Sequence, residues 1–202
     1  MNTMAPILTV KEQIAQQLRN DIISGALTPL SKLNEQALAE RFGVSRGPIR
    51  EVLVQLAKEG LLISKNNKGV SVAEILPKSL QKLLLEMRKK IEIYALSLIK
   101  DEITAEQINR LDFILAELQQ AFIDNDYAKA TLKDVEFHQY LVEEAGGEQL
   151  LNIWMPIVMR MRLNFQPGKH EASIVNEHSA IVDSLKQGEV STAIKLMRAT
   201  QY

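Results

Sequence analysis

Apolar residues recur at helical spacing through most of this chain, and the breaks in that rhythm divide it into segments. Val10, Ile14, Leu18 and Ile22 step by four, which predicts a first helix closed by Gly25. Thr28-Pro29-Leu30-Ser31 reads as a turn, and Asn34 as the N-cap of a second helix through Leu38, Ala39 and Phe42. Gly43 suits the left-handed residue that ends that helix. A third helix is expected from about Ser45 to Glu59, with Ile49, Val52, Leu53 and Leu56 as its buried stripe. The Ser45 hydroxyl is placed to accept from an orphan amide there, and Pro48 falls in the first turn, where a missing N–H costs little. After Gly60 the pattern becomes strand-like. Two short runs flank Lys65-Asn66-Asn67-Lys68-Gly69, which predicts a β-hairpin.

Pro77 marks a change of regime. It opens a long helix on which Leu80, Leu84, Met87, Ile91, Tyr94 and Leu98 form a continuous apolar stripe. Thr104 with Gln107 is a capping-box pattern, starting a helix through Ile108, Leu111, Ile114, Leu115, Leu118 and Phe122. Another spans about Tyr127 to Glu144 and stops at Ala145-Gly146-Gly147. The next carries Leu150, Leu151, Trp154, Ile157, Val158 and Met161 and ends before Gln166-Pro167-Gly168. Two shorter ones follow, parted by Gly188. The expected fold is mainly α, with an amino-terminal winged helix-turn-helix over 1–75 and an all-α antiparallel helical bundle of six helices over 76–202.

Composition narrows the classes. A chain of 202 residues with 46% hydrophobic residues can bury the cores of two small domains. Cysteine is absent, so a disulfide framework, a thiol nucleophile and a cysteine zinc site are excluded. No apolar run reaches membrane-span length and no leader pattern opens the chain, which points to a soluble, cytoplasmic protein. The net charge of −1 does not announce a nucleic-acid binder, but its distribution is uneven. Residues 1–75 carry 9 basic against 7 acidic side chains, and the remainder 15 against 18. Between 41 and 70, Arg41, Arg46, Arg50, Lys58, Lys65 and Lys68 face only Glu51 and Glu59.

Two helices meeting across Gly43-Val44-Ser45 are compatible with a plain helical hairpin. The flanks favour DNA: Arg46 and Arg50 project from the first turns of the third helix, where a helix-turn-helix protein presents side chains to bases and phosphates. A hairpin tip of Lys65, Asn66, Asn67 and Lys68 is poorly explained by core packing and well explained by contact with phosphates or the minor groove. From about Val10 to Ala73 the chain resembles the winged helix-turn-helix domain of the GntR family of bacterial transcription regulators. The match rests on Ile22-Ile23-Ser24-Gly25, Leu33-Asn34-Glu35, Leu38-Ala39, Phe42-Gly43-Val44-Ser45-Arg46, Pro48-Ile49-Arg50-Glu51, Glu59-Gly60-Leu61, Asn67 and Gly69. The resemblance implies a dimer on near-palindromic operator DNA, with recognition-helix contacts from Ser45, Arg46, Gly47 and Arg50 and wing contacts from Asn66, Asn67 and Gly69. Gln36 stands where many relatives carry a basic phosphate-contacting residue.

From about Leu76 onward the chain resembles the effector-binding and dimerisation (FCD) domain of the FadR branch of that family, in its six-helix, VanR-like form. This match rests on Glu86, Arg88 and Glu92, on Asp134-Val135-Glu136-Phe137-His138, on Ala145-Gly146-Gly147, and on Glu177-His178 with Ile181. Asp134 and His138 are four apart and share a helix face, half of a divalent metal site or else a satisfied interior pair. By resemblance, Asp134, His138 and His178 match three of four ligands for a divalent transition metal such as zinc or nickel. The fourth, a histidine in the metal-binding members, is Thr200 here, leaving room for water or an organic acid in the coordination sphere. His170 matches no ligand position. Arg88 and Arg160 are candidates to hold an effector carboxylate, or else to form ion pairs; Trp154 and its neighbouring methionines read as core filling.

The leading expectation is therefore a homodimeric, ligand-responsive transcription regulator that binds operator DNA, senses a small carboxylate in the bundle, and is not an enzyme. Two alternatives stand beside it. One is a metal-dependent hydrolase or lyase built on Asp134, His138 and His178; the other is a constitutive DNA-binding dimer without effector.

Overall fold

A computed structural model describes residues 9–65, 69–99, 103–164 and 171–200. The chain divides into two compact units, Met1–Ile75 and Leu76–Tyr202.

In the first unit, α1 (Val10–Ile23), α2 (Glu35–Phe42) and α3 (Arg46–Lys58) surround one core, with strands β1 (Lys32–Leu33), β2 (Leu62–Lys65) and β3 (Gly69–Val72) at its side. The local signals act much as expected. Asn34 caps α2 by accepting from the amides of Gln36 and Ala37 at 2.8 and 3.1 Å. Gly43 ends it at φ 65°, a conformation that costs a side chain about 1–2 kcal/mol. Thr9 and Glu12 form a capping box on α1 that the apolar pattern did not reveal. Ser45 occupies the N-cap of α3 but makes no side-chain cap bond, contrary to expectation. The core is Ile14, Leu18, Ile22, Ile49, Leu56, Leu61 and Val72, whereas Val10 is exposed. The expected two-stranded wing is a three-stranded antiparallel sheet of order β1-β3-β2, because Lys32-Leu33 pairs with Val70-Ser71 on the far edge.

The second unit is helical: α4 (Lys78–Leu98), α5 (Ala105–Ile123), α6 (Tyr127–Arg162), α7 (Glu171–Lys186) and α8 (Val190–Ala199). Thr104 and Gln107 form the expected capping box of α5. Pro77 sits at the N-cap of α4, one position before the helix proper. The backbone of α6 breaks at Gly147, with φ 63° and ψ −167°. As a straight rod its ends would be about 50 Å apart, at 1.5 Å per residue. Instead Arg162, near its end, reaches Asp134, near its start. The segment is thus two arms doubled back on each other, which restores the six-helix count. Gly147 supplies the backbone angles, and a Cβ on Gly146 would collide with Leu150.

Leu96, Leu111, Ile114, Leu118, Phe137, Leu141, Ile181, Val182 and Met197 build the core of the bundle. The α4 stripe departs from expectation. Leu80, Met87, Tyr94 and Leu98 are exposed, as is Leu83 beside them, and the buried face of α4 carries Arg88, Glu92, Ala95 and Leu96. Among the described residues, no helix is long and apolar enough to cross a membrane.

Candidate functional site

Two places combine chemistry with geometry. The first is the start of α3. Arg46 and Arg50, one turn apart, are largely exposed and converge on one carboxylate: Glu35 Oε2 lies 3.2 Å from Arg46 Nη2 and 2.7 Å from Arg50 Nε. Hydrogen bonding from Arg50, with Arg46 adding to it, holds the Glu35 carboxyl below its ordinary range despite partial desolvation. Glu35 is the first residue of α2, so the turn at Gly43 is what brings it to α3. Gly47 adjoins Arg46 in the first turn of α3, and a Cβ added there would meet the Ser45 hydroxyl at 3.9 Å, an ordinary contact. Gln36 donates to Glu40 at 2.9 Å. In the wing, Lys65 pairs with Gly69 across the hairpin, and Gly69 has φ 79°. Asn66, Asn67, Lys68 and the Lys65 side chain lie outside the described residues, as does His170.

The second place is the interior of the bundle. Asp134 and His138 sit one turn apart on the first arm of α6, and α7 contributes His178. His178 Nε2 is 3.1 Å from His138 Nε2 and 3.2 Å from Asp134 Oδ1; His138 Nε2 is 3.9 Å from that same oxygen. All three residues are buried. Phe137 stands edge-on to both imidazoles.

The partners on the far sides decide the protonation. His178 Nδ1 is 2.7 Å from the Ile174 carbonyl, which only accepts, so Nδ1 carries the hydrogen and Nε2 a lone pair. His138 Nδ1 faces Glu92 Oε2 at 3.3 Å. Burial alone would raise the Glu92 carboxyl, but the charge of Arg88 and the hydrogen bonds from His138 and Arg88 outweigh it and keep Glu92 ionised, far below the usual carboxylate range. Burial pushes His138 down to about 4, reinforced by Arg88 and opposed by Glu92. It pushes His178 down to about 4 as well, against the pull of the Ile174 carbonyl. Both rings are thus neutral near pH 7. If His138 donates from Nδ1 to Glu92, the two Nε2 lone pairs and Asp134 Oδ1 meet with no hydrogen among them. If it donates from Nε2, its Nδ1 lone pair faces a carboxylate. Either arrangement is one hydrogen-bond donor short.

That deficit, and the spacing, match a metal. Two ligands at about 2.0–2.1 Å from one zinc ion at tetrahedral angles stand roughly 3.4 Å apart, close to the separations here. Asp134, His138 and His178 therefore form a possible metal-binding triad, the one such group among the described residues.

Three further residues surround it that the apolar pattern did not bring forward as site members. Glu92 accepts from Arg88 Nε at 2.7 Å and from Trp154 Nε1 at 2.9 Å, so Trp154 is a hydrogen-bond donor as well as filler. Arg162 Nη2 donates to Asp134 Oδ2, and both side chains are buried. The spacing of Arg88 and Glu92, one helical turn, was a visible signal; nothing local singles out Arg162. Of the expected effector-binding residues, Arg88 is buried in an ion pair with Glu92 and lies against the Trp154 ring. Arg160 is half-buried on the last turn of α6. Thr200 is buried and donates its hydroxyl hydrogen to the Leu196 carbonyl at 3.1 Å.

Comparison with known proteins agrees with both halves. Residues 10–72 match the family model described as bacterial regulatory proteins, gntR family, and residues 83–200 match the FCD domain. The HTH-type transcriptional regulator YdhC of Bacillus subtilis (strain 168) is 29% identical, over 87% of this chain and 80% of its own. The Nta operon transcriptional regulator of Aminobacter aminovorans is 35% identical over 69% and 66%. The structure of E. coli McbR/YncC superposes with a TM-score of 0.81 at 21% identity, covering 95% of each chain, a likeness of fold.

Proposed function

Because the chain belongs to the GntR family of bacterial transcription regulators and carries an FCD effector-binding domain, we propose that it binds a near-palindromic operator as a homodimer and senses a small carboxylate through a divalent metal held by Asp134, His138 and His178. The observation that carries this reading is the convergence of two imidazole Nε2 atoms and a carboxylate oxygen, one hydrogen-bond donor short, in the bundle interior. The three residues would hold zinc or nickel, and the ion would supply open coordination positions for the oxygens of an organic acid. Glu92 would orient His138 from behind, as such outer partners do in metal sites.

On the DNA side, Arg46, Gly47, Arg50 and Ser45 at the start of α3 would meet the major groove, with Lys65 to Gly69 on the wing reaching phosphates or the minor groove. The exposed row Leu80, Leu83, Met87, Tyr94 and Leu98 on α4 supports a homodimer, since a contiguous apolar face of this kind on a single chain marks an interface. Effector control requires only differential affinity: a tenfold change in operator binding needs about 1.4 kcal/mol of coupling. The family membership leaves the hydrolase or lyase alternative without support, since the relatives are regulators. The constitutive alternative is separated by the metal itself.

Thermal melting of chelator-stripped protein with and without zinc tests the reading. Zinc is expected to raise the melting temperature of the native chain, and His138→Ala or His178→Ala to remove the gain. A full gain in either variant would take that residue out of the site.

A further inference from the structure

The charges around the triad balance without any metal. Asp134 is matched by Arg162 and Glu92 by Arg88, each pair buried, while His138 and His178 set Nε2 against Nε2 at 3.1 Å, a contact that needs a lone pair on one of them, and the Ile174 carbonyl takes the Nδ1 hydrogen of His178. A divalent ion entering this group leaves two positive charges in the interior, where an uncompensated charge is costly. Were Arg162 neutral, the same ion would leave one. The guanidinium also sits on Asp134 Oδ2 while Oδ1 faces the imidazoles, so it draws electron density away from the oxygen that would ligate.

We propose that Arg162 is a built-in counter-charge: it keeps the triad neutral when no metal is bound, so that the bundle folds in both states and metal binding stays weak enough to be reversible. This rests on the metal reading above. It makes the site an exchangeable, regulatory one rather than a structural staple, and it gives the second arm of α6 a direct part in sensing, because its last turn carries Arg162 against a ligand on the first arm. An ordinary outer-shell role for Arg162, holding Asp134 in place, predicts the reverse effect on affinity, since losing such a partner typically costs 10–100-fold in metal binding.

The test is zinc affinity of the full chain, measured by competition with a chromogenic chelator near neutral pH, for the native protein, Arg162→Gln and Arg162→Lys. Arg162→Gln is expected to bind zinc at least about tenfold tighter, some 1.4 kcal/mol, and to show a larger zinc-induced rise in melting temperature. Arg162→Lys, which keeps the charge and loses the planar fork, is expected within about threefold of the native chain. Equal or weaker binding by the glutamine variant would overturn the proposal, as would a lysine variant weakened by about tenfold. Should the glutamine variant fail to fold without zinc, the lysine variant still decides between charge and positioning. Absence of zinc binding in every chain, the native one included, would instead overturn the metal reading.

Discussion

The Nε2 atoms of His138 and His178 stand 3.1 Å apart, and each ring turns its Nδ1 toward an acceptor, Glu92 Oε2 in one case and the Ile174 carbonyl in the other. Two neutral imidazoles held this way on two helices are a poor arrangement for packing alone and a good one for a cation. Their neutrality is measurable through stability.

Burial moves both imidazoles from 6.5 down to about 4. The unfolded chain takes up protons from about 6.5 downward while the folded chain resists them to about 4, so the folded state is fully favoured above that window and loses stability as pH falls through it. Glu92, held below its ordinary 4.5, adds a further loss on acidification in the same direction. Melting temperatures of metal-free protein should be level above pH 6.5 and decline toward pH 4; a level profile throughout would mean that the rings are not both neutral and buried.

Glu92 links the triad to α4. Glu92→Gln keeps the size and an acceptor for Trp154 Nε1 but removes the charge that favours the Nδ1 hydrogen on His138 and that compensates the buried Arg88. We expect a loss of about 3–5 kcal/mol in stability from the uncompensated charge and a 10–100-fold loss in zinc affinity. Denaturant unfolding and chelator competition measure the two separately. Unchanged zinc affinity would confine Glu92 to a structural role.

Arg46→Ala and Arg50→Ala should each weaken binding to a selected operator by about 1–3 kcal/mol if the side chain reads a base edge, with relaxed discrimination at that position. Glu35→Gln should act oppositely on affinity. It removes a negative charge from beside both arginines, so binding to any duplex should tighten and the salt dependence should steepen, while discrimination between sequences should fall because the arginines lose their common anchor. Fluorescence anisotropy across a salt series checks this, and a shallower salt dependence would contradict it.

The outward row on α4 makes its own prediction. Met87→Glu and Tyr94→Glu place charges on an exposed face, so the chain should keep its helical circular dichroism yet sediment as a monomer. A dimer persisting in the double variant would move the interface elsewhere.

What the sequence determined by itself was most of what is written in short-range chemistry, the Thr9–Glu12 capping box and the absent Ser45 cap bond aside. Asn34, Gly43, Thr104 with Gln107, and Gly146-Gly147 punctuate the chain through contacts within a few residues or through backbone angles, so the helices and the two-domain pattern were legible. Asp134 with His138 was legible for the same reason, being one turn apart. What only the tertiary structure decided spans longer intervals: His178 meets His138 across 40 residues, Arg162 meets Asp134 across 28, and Trp154 meets Glu92 across 62. Residue type suggested His178 only by resemblance, and gave no sign of Arg162. The α4 stripe is the instructive error. Periodicity reports which residues share a face, but whether that face meets its own bundle or is left outside depends on which charges have found partners within, and here Arg88 and Glu92 could be buried because each neutralises the other beside His138.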